Sequence, residues 1–271
     1  MQSSEDIEVR LLLDAIYLRY HYDFRSYSPA SLKRRLTAAK LQIGADSLSA
    51  LQQKVLHDPA TFTRLLQFLT VQVSDMFRDP SFFLALREKI VPELRTYPSI
   101  RVWIAGCSTG EELYSYAILL REEGLLERTT LYATDINPET LHKAELGLYP
   151  IERMQSFTEN HRLAGGKSSL SEHYTAAYGS AAFDRTLRKN VVFSDHSLAT
   201  DSVFAEVQLV SCRNVLIYFD RSLQDRALGL MKDALCRRGF LGLGSKESLM
   251  FSTQAPAFRD FVPGERWYQR C

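Results

Sequence analysis

The stretch "VWIAGCSTGEELYSYA", residues 102–117, decides the fold, and it admits two chemistries. Gly106-Cys107-Ser108-Thr109-Gly110 fits G-x-S-x-G, the pattern that lifts a nucleophilic serine onto a strained strand-to-helix elbow. It fits equally a glycine-bounded loop that lets a ligand approach the backbone between strand and helix. In the first reading Ser108 attacks a carbonyl; in the second it is the floor of a binding site.

The flanks of the loop separate the two. A hydrolase of that type needs an acid and then a histidine downstream, for which Asp135 and His196 are the nominees. It also needs several strands before the elbow and a loop of oxyanion donors among them. Here residues 1–95 are helical in texture and no HGGG-like run occurs. Leu12, Ala15, Ile16 and Leu18 to Tyr20 recur at helical spacing, Asp46 is placed to cap a helix in SLSALQQKVL, and Asp58-Pro59 supplies an N-cap and a first-turn proline before TFTRLLQFL.

From Arg101 the texture changes. RVWIA, TLYATD, NVVF, EVQLVS and GFLGLG read as strands, with helical EELYSYAILL, PETLHKAEL and RSLQDRALGLMKDAL among them, and RWYQR as a terminal strand. Such alternation predicts a parallel α/β sheet wrapped by helices. Residues 147 to 189 break the rhythm with a polar interval containing Gly165-Gly166, Ser168, Ser169 and Gly179. A structureless loop that long is unusual in a compact domain, so an inserted subdomain is predicted.

As a binding floor, the loop after RVWIA lies where ligands enter open α/β sheets, and the next strand ends in Asp135, whose carboxylate can accept from two ribose hydroxyls. The phosphate-binding form GxxxxGK[ST] is missing, and Glu111 and Glu112 would repel a pyrophosphate. The acids suit a ligand without phosphates, such as S-adenosylmethionine, whose amino and sulfonium groups are cationic. Further on, "VQLVSCRNVLIYFD" (207–220) brings Arg213, Asn214 and Tyr218 to the end of an apolar strand, where unpaired polar groups are costly. The bland alternative is that Asn214 turns the chain and Tyr218 packs.

Global composition adds limits. A chain of 271 residues accommodates two domains, and a net charge of +1 gives no overall pull toward nucleic acid or membrane. Cys107, Cys212, Cys236 and Cys271 form no C-x-x-C pair and have no histidine at zinc spacing, so free thiols in a reducing cytoplasm and no metal site are expected. No apolar run approaches the roughly 20 residues that span a bilayer, and MQSSEDIEVR is unlike a signal peptide. Neither secretion nor membrane insertion is expected.

Taken together, these segments resemble the CheR family of chemoreceptor glutamate O-methyltransferases. "AGCSTGEELYSYA" is similar to its glycine loop, "ATDIN" to its ribose-binding acid, "CRNVLIYFD" to its Cys-Arg-Asn-Val segment and "VQVSDMFRDPSFF" to its Asn-x-Thr-x-x-Phe-Arg segment. The resemblance runs from Ile7 to RWYQR. It implies an all-α N-terminal domain (residues 1–78) and a doubly wound, mostly parallel methyltransferase sheet (79–271) with a small β-subdomain inserted at about 147–189.

The resemblance further implies a cofactor site for S-adenosylmethionine, or its product S-adenosylhomocysteine, lined by Gln72, Ser74, Arg78, Gly106, Glu112, Asp135, Ile136, Ser197, Leu198, Asn214 and Val215. Arg78 and Tyr218 would stand closest to the transferring methyl and the substrate carboxylate. Gln72 replaces the usual asparagine, Ser74 the usual threonine, Leu113 the usual proline, and "HSLA" stands for "HNLL". The implied partner is the cytoplasmic helical coiled coil of methyl-accepting chemoreceptors, with other chemosensory signalling proteins beside it and recruitment to receptor arrays. Some relatives also grip a receptor tethering peptide with the insertion, for which residues 147–189 carry no deciding motif.

Between Arg19 and Lys40 the cations Arg19, Arg25, Lys33, Arg34, Arg35 and Lys40 stand against a single acid, Asp23. Helix-spaced Leu32, Leu36 and Leu41 are expected to pack inward while the charges face water. A solvated helix face would explain such a run by itself; the resemblance implies instead that Arg34, Arg35 and Lys40 form a docking face for an acidic receptor bundle. Two alternatives stay open: a catalytically weak scaffold or sensor that binds the cofactor, and, more remotely, a serine esterase built on Ser108.

Overall fold

A computed structural model of the chain describes residues 3–271. Its first part is a helical unit of α1 (Ser4–Tyr20), α2 (Pro29–Ile43), α3 (Leu48–His57) and α4 (Pro59–Leu69). Local chemistry sets the ends. Ser3 and Asp6 form a reciprocal capping box on α1, Gly44 closes α2 in the left-handed conformation, and Asp58 caps α4 ahead of Pro59. The cap of α3 is Ser47, whose hydroxyl accepts from the Ala50 amide, rather than the expected Asp46. Leu12, Ile16, Leu32, Leu36, Leu51, Leu65 and Leu69 fill the core of this unit.

One sequence expectation fails on α2. Leu41 is 72% exposed, whereas Arg35 is only 8% exposed. The buried stripe runs Leu32, Arg35, Leu36, Ala39, Ile43, so Arg35 occupies an inward position and does not belong to a solvent-facing docking surface.

After α5 (Pro80–Ala85) and α6 (Val91–Leu94), joined by one wider π turn at Leu86–Ile90, the chain enters the sheet. Its strands are β1 (Ile100–Ala105), β2 (Thr129–Asp135), β6 (Val191–Asp195), β7 (Val207–Cys212), β8 (Leu235–Leu243), β9 (Phe258–Val262) and β10 (Trp267–Arg270). They lie in the order β6-β2-β1-β7-β8-β10-β9. Pairing is parallel from β6 through β8, and β10 runs antiparallel to both β8 and β9. This is the doubly wound, mostly parallel sheet expected, with α7 (Glu111–Glu122), α8 (Pro138–Leu146) and α10 (Arg221–Ala234) among its connections.

The order reverses at β1. The chain first builds outward through β2 and β6, then returns to lay β7 on the other side, so the switch point lies between the C-terminal ends of β1 and β7. Apolar side chains cover both faces, with Trp103, Val210, Leu228 and Met231 on one and Ile104, Tyr116, Leu209 and Trp267 on the other.

Within the polar interval, β3 (Leu148–Pro150), β4 (Tyr174–Ala177) and β5 (Ser180–Phe183) form a separate antiparallel sheet in the order β3-β5-β4, accompanied by α9 (Met154–Leu163). Its anchor is a buried polar cluster. Glu122 at the end of α7 accepts from Arg87, from the Lys167 and Ser168 amides and from Ser168 Oγ at 2.6–3.1 Å, with His161 Nε2 at 3.0 Å.

The helical unit joins the sheet beside the switch point. Tyr27 and Phe219 form an antiparallel bridge, the Ser28 amide donates to the Tyr218 carbonyl at 2.8 Å, and the Asp220 amide donates to the Ser26 carbonyl at 2.9 Å. Asn137 Nδ2 donates to Thr70 Oγ1 at 2.9 Å on the other side.

Candidate active site

A cleft opens where the switch point meets the helical unit, and most of the residues singled out in the sequence line it. Gly106, Cys107 and Ser108 come from the loop after β1, Asp135 and Ile136 from the end of β2, and Asn214, Val215 and Tyr218 from the segment after β7. Ser74 and Arg78 come from the chain leaving α4, while Glu112 stands in the first turn of α7.

Backbone strain shapes the glycine loop. Gly106 has φ +72°, and a Cβ added there would lie 2.5 Å from Val215 Cγ2, so the loop and the Asn214-Val215 segment approach as closely as they do only because residue 106 has no side chain. Ser108 (φ +50°) and Asn214 (φ +61°) are also left-handed, at the two ends that face across the switch point.

Asp135 is held by backbone. Its Oδ2 accepts from the Ser108 amide at 2.9 Å and its Oδ1 from the Asn137 amide at 3.0 Å. Each oxygen keeps a second lone pair. Burial pushes its pKa above the usual aspartate value against the pull of these amides. Glu112 is fixed by Ser211 Oγ at 2.6 Å and Arg213 Nη1 at 3.1 Å, and Arg213 reaches on to Asp79 at 2.8 Å. Arg78 itself makes no ion pair or side-chain hydrogen bond among the described residues, while the nearby acids Asp75 and Asp79 pair with Arg153 and Arg213.

Two expected site residues lie outside the cleft lining. Gln72 is turned toward Gln67 and Lys143, whose Nζ donates to Gln72 Oε1 at 3.3 Å. Ser197 uses its hydroxyl to accept from the Ala199 amide and its own amide to bond Asp201, opening a turn; Leu198 beside it does line the cleft.

Other contributors were not foreseen. Tyr27 and Arg35 enter from the helical unit, with the Arg35 guanidinium 4.4 Å from the Tyr218 ring centroid. Glu247 sits beneath Asn214 and accepts from the amides of Gly244 at 2.7 Å, Asn214 at 2.9 Å and Ile217 at 3.3 Å, a role for which an isolated turn acid gives no signal. Arg153, from the inserted segment, clamps Glu111 and the Ser74 carbonyl, each at 2.5 Å, and Tyr149 Oη donates to the Thr109 carbonyl at 2.8 Å.

The esterase arrangement is not assembled. Ser108 Oγ is buried with no hydrogen-bond partner, His196 Nε2 lies 3.2 Å from the Ser202 carbonyl, and Asp135 is engaged with backbone amides. What the cleft holds instead is an acid with spare acceptor capacity, an orphaned hydroxyl in the loop floor, and no Lys or Arg on the glycine loop for a phosphate.

Comparison with known proteins settles the family. Residues 72–260 match the CheR methyltransferase SAM-binding domain, and residues 7–70 match the CheR methyltransferase all-alpha domain. The chain belongs to the CheR methyltransferase family. A Pseudomonas putida protein designated Cher3 is 61% identical over 269 residues, covering 99% of this chain and 98% of its own. "Chemotaxis protein methyltransferase 2" of Pseudomonas aeruginosa is 30% identical over 226 residues, 82% of this chain and 78% of its own. The "Chemotaxis protein methyltransferase" of Listeria monocytogenes is 28% identical over 233 residues, 84% and 85% of the two chains.

This chain is thus an S-adenosylmethionine-dependent methyltransferase of the CheR chemotaxis family. The residues present fit that cofactor. Asp135 offers ribose its acceptors, Glu112 places negative charge by the loop, and Ser108 Oγ is a free polar group in the floor. No helix among the described residues is long and apolar enough to cross a membrane.

Proposed function

We propose that this CheR methyltransferase esterifies glutamate side chains in the cytoplasmic coiled coil of bacterial chemoreceptors, producing glutamate methyl esters and S-adenosylhomocysteine for sensory adaptation. The observation that carries the proposal is one of charge placement. Arg78 and Arg35, two guanidiniums without an acidic partner among the described residues, line the same cleft as Asp135 and Glu112. A site for esterification needs both signs, because a carboxylate anion and a sulfonium cation must meet and neutralise there.

S-adenosylmethionine supplies the methyl group. An ionised carboxylate is already a nucleophile near neutral pH, so no general base is needed. The chain's task is positioning, which contributes several kcal/mol, up to roughly 7 to 11 in favourable cases. Asp135, Ser74, Ile136, Leu198, Asn214 and Val215 hold the cofactor, Arg78 orients the incoming carboxylate, and Tyr218 fixes the reacting geometry through its hydroxyl.

Docking rests on α2. Lys33 pairs with Asp6, and Arg25 with Asp23 and Asp14, which leaves exposed Arg34 and half-buried Lys40 without ion pairs among the described residues. These two are the cations that α2 offers an acidic helix bundle, beside exposed Arg19 of α1, likewise unpaired among the described residues, and such contacts act on encounter rate and weaken with salt. A receptor's cytoplasmic coiled coil places the reaction in the cytoplasm, at receptor arrays.

The test is transfer of tritiated methyl to a purified receptor cytoplasmic fragment, followed by alkali. Label released as methanol, and lost when the fragment's candidate glutamates are replaced by alanine, supports the proposal. Alkali-stable label, or label indifferent to those replacements, refutes it.

A further inference from the structure

Arg35 is the most heavily buried cation in the cleft wall contributed by the helical unit. Its Nη1 donates to the Leu69 carbonyl at 2.6 Å and its guanidinium face lies over the Tyr218 ring at 4.4 Å. Its Nη2 is buried and has no hydrogen-bond partner. No carboxylate among the described residues pairs with it. An arginine does not shed its charge by deprotonation, and a buried, unpaired ionic donor is costly. A helix that needed only packing at this stripe position would carry a leucine.

We infer that the free Nη2 edge of Arg35 is a binding site for the carboxylate of the substrate glutamate. The inference rests on the proposed reaction and adds the residue that reads the substrate's charge. The cofactor's own carboxylate is the rival ligand. Arg35 projects from the helical unit and stacks on Tyr218, the residue assigned to the reacting geometry, which favours the substrate.

The geometry also accounts for why one edge is free. As the carboxylate becomes an ester it loses its negative charge, so a forked clamp on both oxygens would stabilise the reactant more than the transition state. With Nη1 held by Leu69 and the face held by Tyr218, Arg35 presents a single edge to one oxygen. The other oxygen stays available for attack.

The experiment compares wild type with Arg35→Met and Arg35→Lys. Saturated with S-adenosylhomocysteine, each protein is melted with and without glutarate at matched ionic strength. Glutarate is expected to raise the melting temperature of wild type, to raise that of Arg35→Met far less, through Arg78 alone, and to act weakly on Arg35→Lys. With a receptor fragment, Arg35→Met is expected to raise KM by about ten- to a hundredfold, the worth of a hydrogen bond to a charged group, with a smaller change in kcat. Affinity for S-adenosylhomocysteine should stay within about threefold, below the worth of one ordinary hydrogen bond.

No glutarate shift in wild type, or the same shift in Arg35→Met, overturns the site. A loss of S-adenosylhomocysteine affinity with unchanged KM assigns Arg35 to the cofactor and also overturns it. A wild type that responds to glutarate through Arg35 but methylates no receptor fragment refutes the proposed substrate and leaves the carboxylate site standing.

Discussion

Replacing Asp135 with alanine isolates the central claim about the cleft. In the structure its two oxygens accept the Ser108 and Asn137 amides at 2.9 and 3.0 Å, each retaining a lone pair for a ribose hydroxyl. Truncation removes two charge-assisted acceptors. At about 1.5–3 kcal/mol each the ligand loses about 3–6 kcal/mol, or roughly two to four decades of affinity. The two amides are also orphaned, at about 1–3 kcal/mol each where water does not replace the carboxylate. Relief of the buried charge offsets part of that loss, because burial already disfavours the ionised form.

The assay is calorimetric titration with S-adenosylhomocysteine, with circular dichroism confirming that the variant is folded at the titration temperature. A folded Asp135→Ala protein binding within about threefold of wild type would refute the ribose assignment, since that difference is smaller than one ordinary hydrogen bond. The sign of the pH dependence is fixed as well. If the ionised carboxylate accepts both ribose hydroxyls, its raised pKa means that affinity in wild type should fall on acidification from above the usual aspartate range.

Tyr218→Phe is expected to lower kcat roughly tenfold or more while S-adenosylhomocysteine affinity changes little, and equal losses in both would contradict the positioning role. Gly106→Ala forces a Cβ to 2.5 Å from Val215 Cγ2 at φ +72°; left-handed strain and overlap together should cost about 2–4 kcal/mol, read by urea melts, with cofactor binding impaired. Burial would raise the Glu122 pKa, but hydrogen bonds from His161, Ser168 and Arg87 outweigh it and hold it at about 2, below the usual 4.5. Its stabilisation is therefore full above pH 4.5 and lost as pH falls toward 2. Glu122→Gln should cost about 3 kcal/mol at pH 7 and almost nothing near pH 2, and a pH-independent cost would contradict the network's ionisation.

The glycine loop, the acid after β2 and the segment after β7 were legible because each chemistry needs particular residues at the end of a strand, and strand ends are visible as apolar runs. The small antiparallel sheet was legible only as an interruption. Residues adjacent in sequence to a binding segment need not line the cleft with it. Gln72 is half-buried between Val71 and Val73, both in the lining, and its amide is bonded to Gln67 and Lys143 instead. Glu247 gave no signal, since its worth is three backbone amides brought together by folding. Arg35 did leave one. Leu32, Leu36, Ala39 and Ile43 define the buried stripe of α2, and position 35 lies on it. A cation on an apolar stripe is the informative exception to a basic helix face.

That exception changes what the helical unit is for. Were α2 only a docking platform, it could be detached from the sheet with loss of receptor affinity alone. Instead the Tyr27–Phe219 bridge and the Ser28–Tyr218 and Asp220–Ser26 hydrogen bonds fasten it to the backbone around Tyr218, while Arg35 packs on that ring. The helical unit thus contributes Tyr27 and Arg35 to the cleft that the glycine loop also lines, and the two arginines proposed for a carboxylate come from it and from the segment that follows it. On the proposed function, receptor recognition and placement of the reacting carboxylate would be coupled through one helix, which carries exposed Arg34 and buried Arg35 side by side.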